Sequence, residues 1–414
     1  MKFEYGCMGE TLKHSFSKEI HKFLKDYDYD IIEVPKDRLD SFLKERDFKA
    51  INVTIPYKEA VIPYLFEIEA TAKEIGAVNT VVNRDGRLYG YNTDFYGMSR
   101  LIEKIGIDLR GKKVAILGTG GTSKTSVAVA KALGARETVR VSRSVGKDSI
   151  TYGELYEKHS DTEVIINTTP VGMYPNIFDT PVDLSRLPSV IGVVDAVYNP
   201  LRTPLILAAK KRGIAAEGGL YMLVNQAVRA SEIFIDTKYE KSESDKVFKK
   251  IYSEKENIVL VGMPSSGKST VGKIIAKALG REFVDTDSLI EENEGMRIPE
   301  IFEKYGEDYF RDAETGAVKS VSLRSGIVIA TGGGAVLREE NVNALSENGK
   351  IYFIDRPLEN LIPTPDRPLS SSGEAIEKRY RERYGIYNSI ADKTIKVTTD
   401  AEGVAKSITE DFLK

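Results

Sequence analysis

Short apolar runs alternate with stretches of helical periodicity along almost the whole chain. Ile51-Asn52-Val53-Thr54 and Val78 to Val82 read as strands. Lys112 to Leu117 (KKVAIL), Thr138 to Val141, Glu163 to Asn167 (EVIIN) and Val190 to Asp195 (VIGVVD) follow as further strands. Helical periodicity covers Thr122 to Leu133 and Tyr221 to Phe234. The same rhythm resumes at Ile258-Val259-Leu260-Val261, with a helix over Thr270 to Leu279. Strands at Glu282 to Val284, Ile327 to Ala330, Ile351 to Ile354 and Thr394 to Val397 come after it. Such alternation predicts α/β architecture with parallel, doubly wound sheets.

One stretch breaks the rhythm. Thr237 to Asn257 (TKYEKSESDKVFKKIYSEKEN) is charged and nearly free of large aliphatics. Val247, Phe248, Ile251 and Tyr252 recur there at helical spacing, which predicts a helical tether at a domain boundary.

Composition narrows the function classes. A chain of 414 residues holds two or three domains, taking ~150 residues each. The 59 basic and 62 acidic residues give a net charge of −3, without the basic footprint of a nucleic-acid binder. Cys7 is the one cysteine, so no intrachain disulfide or cysteine zinc site can form. With only His14, His21 and His159 beside it, the metal to expect is Mg²⁺ brought with a nucleotide. The first residues (MKFEYGCMGETLK) lack a signal-peptide core, and no apolar run is long enough to span a membrane. A cytoplasmic protein without membrane or nucleic-acid partners is expected; a homodimer is left open.

Two glycine loops carry phosphate chemistry. Gly262-Met263-Pro264-Ser265-Ser266-Gly267-Lys268-Ser269 fits G-x-x-x-x-G-K-[ST] between a strand and a helix. There the backbone N–H groups through Gly262, Gly267 and Thr270 cup phosphates, Lys268 adds charge, and the Ser269 hydroxyl can hold Mg²⁺. Earlier, Gly118, Gly120 and Gly121 follow a strand and open a helix, with Ser123 in place of a third glycine. At the end of the next strand stand Ser142 and Arg143, where an NAD site carries an acid. An arginine there favours a 2′-phosphate and hence NADP, with Lys147 as a further charge.

Other polar residues cluster in short blocks. His14-Ser15-Phe16-Ser17, Asn52 to Lys58 (NVTIPYK), Asn92-Thr93-Asp94 and Gln226 offer hydroxyls, amides, one lysine and one aspartate. These types suit a small, anionic, polyhydroxylated substrate. Each alone could be a cap or a surface charge. In order, HSFS, NVTIPYK, GAVNTV, YNTD, INTTPVGM, DAVYNPLRTPL and GLYMLVNQA resemble the shikimate dehydrogenase family from about Tyr5 to Phe234. The resemblance implies reduction of 3-dehydroshikimate to shikimate with NADPH. It implies that Ser15 and Ser17 hold the substrate carboxylate, that Thr54, Asn79, Tyr198 and Gln226 line the pocket, and that Lys58 and Asp94 are the catalytic pair. A lysine can donate the proton that the new alkoxide needs, and the aspartate keeps it oriented. Lys18, Thr122, Thr125 and Ser142 depart from the common family residues.

The second half adds Asp285-Thr286-Asp287 at a strand end, whose two carboxylates are expected to alternate across that strand. Phe310-Arg311-Asp312-Ala313-Glu314, Thr331 to Gly334, Arg367-Pro368-Leu369 and Arg383 complete the set, with arginines suited to an anionic acceptor. These blocks resemble the shikimate kinase family from about Asn257 to the end. The resemblance implies ATP as donor and a nucleoside-monophosphate-kinase-like fold. It implies that Asp287, Arg311, Gly333, Gly334 and Arg383 bind shikimate, with Asp287 orienting its hydroxyl. Ser269 and Asp285 would hold Mg²⁺, and Lys268 and Arg367 would stabilise the transferred phosphoryl. Pro363 stands where that family usually has a second lid arginine.

The expected division is a substrate and catalytic domain over 1–109, completed by a helix over 220–236. A Rossmann-type NADP domain over 110–219, a linker over 237–256 and a P-loop domain over 257–414 follow. The expected function is two consecutive steps of the shikimate pathway. Quinate with NAD, or a non-catalytic metabolite sensor, are the rival readings.

Overall fold

The computed structural model describes residues 3–12, 16–24, 27–144, 146, 148–362 and 372–414. The chain forms two compact units, Met1–Ile251 and Tyr252–Lys414.

The first unit contains two sheets. Its first sheet is built from β1 (Tyr5–Gly9), β2 (Tyr29–Glu33), β3 (Ala50–Val53), β4 (Glu67–Ile68), β5 (Thr80–Arg84) and β6 (Arg87–Tyr91). The order is β2-β1-β3-β5-β6-β4. Helices α1 (Ser17–Leu24), α2 (Leu39–Glu45), α3 (Ala70–Ile75) and α4 (Thr93–Lys104) accompany it. This sheet is mixed, which corrects the parallel expectation. β3 pairs with β5, and β5 with β6, antiparallel. The β5–β6 reversal comes from the Asp85-Gly86 turn, where both residues have positive φ, 50° and 79°. That is the hairpin geometry an Asp-Gly pair favours.

The second sheet is wholly parallel: β7 (Lys113–Leu117), β8 (Glu137–Ser142), β9 (Ile150–Thr151), β10 (Val164–Asn167), β11 (Gly192–Asp195) and β12 (Ala215–Glu217). Its order, β12-β11-β10-β7-β8-β9, reverses direction at β7. The carboxyl ends of β7 and β10 therefore form the crevice where such sheets bind ligands. Helices α5 (Gly121–Ala132), α6 (Tyr152–Lys158), α7 (Pro204–Lys211) and α8 (Leu220–Phe234) follow the strands in turn. α8 packs against α4 and α1, so its helical face closes the first sheet's side of the unit.

The charged stretch is helix α9 (Lys241–Lys255), and the boundary between the units falls within it. Val247 and Ile251 are buried. Tyr221 donates to Asp245 at 2.7 Å, and Lys104 lies 3.7 Å from the ring centre of Phe248.

The second unit is one parallel sheet: β13 (Asn257–Val261), β14 (Phe283–Asp285), β15 (Val328–Ala330), β16 (Gly349–Asp355) and β17 (Lys393–Lys396). The order is β14-β15-β13-β16-β17, with β13 central and buried throughout. A strand covered on both faces is a continuous apolar run, as Ile258 to Val261 is. Helices α10 (Lys268–Leu279), α11 (Thr286–Glu294), α12 (Ile298–Ser322), α13 (Glu339–Asn348), α14 (Gly373–Ile390) and α15 (Ala401–Phe412) flank it. α12 kinks at Gly306, whose φ is 83°.

Candidate active sites

In the first unit a cavity of about 650 Å³ lies between the carboxyl ends of both sheets. Ser17, Thr54, Lys58, Asn79, Asp94, Tyr198 and Gln226 all line it. Ser15 lies outside the described residues, as does Lys147.

Lys58 follows β3. Its backbone is fixed where its carbonyl accepts from Val78 N at 2.8 Å. Neighbouring Tyr57 is buried and donates to Val34 O at 2.6 Å. Asp94 sits in the first turn of α4, where a carboxylate meets the positive end of the helix dipole. Asn92 caps that helix by accepting from Phe95 N at 3.1 Å. These anchors bring Lys58 Nζ to 2.6 Å from Asp94 Oδ2, both side chains being largely buried, at 14% and 9% exposed.

Asn79 is held rather than free in a turn. Its Oδ1 accepts from Thr93 N at 2.7 Å, and its Nδ2 donates to Thr93 Oγ1 at 3.0 Å. Thr93 Oγ1 reaches Gln226 Oε1 at 3.4 Å. Tyr198 packs on Phe16 at 5.2 Å, and burial pushes its phenol up to about 12. Cys7 lines the same cavity, but burial pushes its thiol up to about 12, against the pull of Lys58 and a Tyr29 hydrogen bond. It stays a thiol at neutral pH and is no nucleophile. His21 is buried and stacked on Tyr29 at 3.8 Å, and burial lowers it to about 3, so it stays neutral. Among these groups Lys58 and Asp94 are the charged pair facing the cavity.

Sequence reasoning missed Asp195, at the end of β11. It is buried, and burial raises it from 3.8 to about 7. It accepts from Asn167 Nδ2 at 2.9 Å, Val197 N at 2.9 Å and Thr203 Oγ1 at 2.7 Å. These bonds close both ends of the segment that carries Tyr198. The block DAVYNPLRT held this residue in plain view; its ties to β10 were not readable.

The glycine loop leaves β7 in the same crevice. Gly118 has φ 108°, and a Cβ there would lie 2.7 Å from Thr168 Oγ1. Gly120 caps α5 and nothing stands within 4 Å of where its Cβ would be. A Cβ on Gly121 would meet Lys58 Cδ at 3.6 Å. Ser123, in the third-glycine position, turns its hydroxyl back to Gly118 O at 2.7 Å, and so stabilises the turn. Ser142 ends β8 and Arg143 follows, exposed. Arg140, not singled out in the sequence, donates to Thr119 O at 3.1 Å and adds charge beside the loop. An open bare backbone at a helix N-terminus with arginine beyond it fits a dinucleotide carrying a 2′-phosphate.

In the second unit the phosphate loop joins β13 to α10. Gly262 (φ 149°) and Gly267 (φ 99°) take backbone angles that a side chain resists, and Ser265 also has positive φ, 64°. Gly267 caps α10. Lys268 is buried, with Nζ 2.9 Å from Gly262 O and 2.8 Å from Met263 O. Ser269 Oγ donates to Asp285 Oδ2 at 2.5 Å, and Thr270 follows in the first turn.

Asp285 and Asp287 do not alternate on one strand, a correction. β14 ends at Asp285, whose Oδ1 accepts from Asp287 N at 3.0 Å and so caps α11; Asp287 is in that helix's first turn. Gly332 to Gly334 form a cradle beyond β15. A Cβ on Gly332 would collide with Asp287 Oδ1, and one on Gly334 with Arg311 Nη1. Gly333 O accepts from Arg383 Nη1 at 3.0 Å and from Tyr387 Oη at 2.5 Å. Asp287, Arg311 and Arg383 thus converge on one glycine strip. Glu314, missed as a site residue, donates no bond but accepts from Arg311 Nη1 at 2.7 Å. It is buried, and desolvation raises its pKa, opposed by Arg311. Its spacing of one helical turn after Arg311 was the available signal. Arg367 and Pro363 lie outside the described residues.

Ser269 and Asp285 are hard oxygen donors that fit Mg²⁺ completed by water and phosphate oxygens. Among the described residues no cluster of three or more His, Cys, Asp or Glu could hold a metal without such help.

Comparison with known proteins assigns both units. Residues 7–81 match the family "Shikimate dehydrogenase substrate binding domain", and residues 264–413 match "Shikimate kinase". The chain is 38% identical over 265 residues to a shikimate dehydrogenase (NADP(+)) of Clostridium perfringens, covering 60% of this chain and 97% of that one. A shikimate dehydrogenase (NADP(+)) of Clostridium beijerinckii is 37% identical over 268 residues, covering 61% of this chain and 98% of the other. Among solved structures, shikimate dehydrogenase 1 from Peptoclostridium difficile matches with TM-score 0.56 and 37% identity, over 61% of this chain and 98% of that one. A chorismate mutase/shikimate 5-dehydrogenase fusion from Clostridium acetobutylicum matches with TM-score 0.57 and 34% identity, over 61% and 97%. The chain belongs to the shikimate dehydrogenase family and carries a shikimate kinase domain in its second unit.

Proposed function

We propose that the first unit reduces 3-dehydroshikimate to shikimate with NADPH, and that the second phosphorylates the same 3-hydroxyl with ATP and Mg²⁺. The observation that carries the reading is the buried Lys58–Asp94 pair, facing a cavity onto which the open glycine end of α5 also abuts.

Hydride transfer to the ketone leaves an alkoxide. Lys58 Nζ is the proton donor and the positive charge beside it, and Asp94 holds that ammonium in place. Ser17, Thr54, Asn79, Tyr198 and Gln226 supply hydroxyls and amides for the substrate's polar groups, and Ser15 joins Ser17 on the carboxylate. Gly118, Gly120 and Gly121 take the pyrophosphate, and Ser142 and Arg143 the 2′-phosphate. NADPH supplies the hydride when bound.

In the second unit Arg311 and Arg383 hold the shikimate carboxylate against Gly333 and Gly334. Asp287 orients the acceptor hydroxyl. Lys268 and the loop from Gly262 to Thr270 bind the donor phosphates, Ser269 and Asp285 hold Mg²⁺, and Arg367 adds charge from the lid. Catalysis there is positioning and charge stabilisation. Phosphorylation would draw the reversible reduction forward by mass action.

The proposed compartment is the cytoplasm, where both nucleotides are available. Among the described residues no helix is long and apolar enough to cross a membrane.

The test is incubation with 3-dehydroshikimate, NADPH, ATP and Mg²⁺, with products read by mass. Shikimate 3-phosphate is expected only when both nucleotides are present. Its formation without NADPH, or shikimate accumulating unphosphorylated with all components present, would refute the scheme.

A further inference from the structure

β16 lies beside β13 in parallel register, with Val261 opposite Phe353. The end of β16 therefore emerges next to the phosphate loop. The approach is close: a Cβ on Gly262 would lie 2.8 Å from Ile354 O. Ser265, within the loop, donates to Ile362 O at 2.8 Å, so the segment after β16 stays against it.

Arg356 leaves this end of β16. Its Nη2 is 3.9 Å from the point where a Cβ on Gly267 would be. It is half-buried, and its Nε is buried without a hydrogen-bond partner among the described residues. No carboxylate among the described residues pairs with it. Adjacent Asp355 accepts from the Tyr384 hydroxyl at 3.3 Å instead.

That placement is unfavourable on its own terms. A guanidinium loses hydration when half-buried and needs an anionic partner to offset the loss. Here its neighbour is Gly267, the N-cap of α10, at the positive end of that helix. A guanidinium and a helix N-terminus held this close repel each other unless an anion lies between them. The region is the cradle of a phosphate loop, so the anion has a chemical class.

We propose that Arg356 is a ligand for the nucleotide phosphates of the second unit, reaching the loop from the β16 side. Its planar fork can take two phosphate oxygens at once, which the point charge of Lys268 cannot. The inference rests on the reading of this unit as an ATP-dependent kinase, and adds a residue that neither the phosphate-loop motif nor the shikimate-binding set contains.

The test uses the full chain and isothermal titration with ADP and with inorganic pyrophosphate. Arg356→Ala is expected to weaken both ligands by about 10- to 100-fold, the range for a lost hydrogen bond to a charged group. Arg356→Lys is expected to recover part of that loss. KM for ATP should rise in step, while KM for shikimate holds. Unchanged affinity for both probes in Arg356→Ala overturns the proposal. So does a loss confined to ADP with pyrophosphate unaffected, which would place the contact on the nucleoside. If the wild-type chain binds neither probe, the kinase reading itself fails, and this inference with it. Unfolding midpoints of Arg356→Ala and Arg356→Gln guard against a folding defect; if Arg356→Ala unfolds early, the Gln variant carries the same comparison.

Discussion

Gly121 faces Lys58: a Cβ added to the glycine would sit 3.6 Å from the lysine Cδ, at van der Waals distance. The first residue of the helix that follows the dinucleotide loop thus leaves no more than a methyl's room beside the proposed proton donor. Lys58→Ala should lower kcat for 3-dehydroshikimate reduction by about 10²- to 10⁴-fold, the usual worth of a placed general acid. KM should change little. Removing one partner of a buried ion pair also destabilises, by about 3–5 kcal/mol, so rates must be taken well below the variant's unfolding midpoint. Near-normal turnover would take Lys58 out of the mechanism.

Cofactor choice is expected to hang on Arg143, exposed just beyond β8. Arg143→Ala should raise KM for NADPH by about tenfold, corresponding to one lost charge-assisted contact, and leave KM for NADH where it was. Steady-state rates with the two nucleotides measure this. An equal rise for both would place the arginine elsewhere than on the 2′-phosphate.

The glycine strip of the second unit admits no side chain at 334. Gly334→Ala would drive a methyl into Arg311, which is pinned by the buried Glu314 and cannot swing away freely. KM for shikimate should rise by about tenfold or more, roughly 1.4 kcal/mol of binding, with KM for ATP unchanged. An ATP defect of similar size would mean that the strip serves the nucleotide.

Asp195 makes a pH signature. Burial raises its pKa from 3.8 to about 7, so between those values the folded unit holds a proton that the unfolded chain releases. Stability contributed by this group is therefore fully present below about pH 4 and falls as pH rises toward 7, by up to about 4 kcal/mol at ~1.4 per pH unit. Asp195→Asn can still accept from Asn167 and Val197, and its amide N–H can donate to Thr203 Oγ1 in place of accepting from it. Urea unfolding from pH 4 to 7 should show the wild-type slope flattened in the variant. Parallel slopes would exonerate Asp195.

Local spacing made both nucleotide loops, most strands and the chief polar residues readable before any coordinates. What escaped depended on pairings across the chain. The Asp85-Gly86 turn was a local hairpin signal that the α/β rhythm overshadowed, and so the first sheet was expected to be parallel. Asp287 was assigned to a strand because alternation looks the same until a cap ends it; Asp285 is that cap. Glu314 and Asp195 lay inside recognised blocks, yet their work is to hold Arg311 and the Tyr198 segment, which only the packed structure reveals. Arg356 had no motif at all, since its meaning comes from β16 lying next to β13.

Helix α9 sets a practical limit on dissecting the protein. Its early part gives the first unit Asp245 for Tyr221 and the ring of Phe248 for Lys104. Its last turn and the following residue give the second unit carbonyls, from Lys255 to Gly326 N at 3.0 Å and from Glu256 to Arg281 at 2.7 Å. A cut at the 251/252 boundary keeps these contacts but severs the helix that presents them. Expressing the two enzymes as separate proteins calls for duplicating residues 241–256, one copy ending the first fragment and another beginning the second.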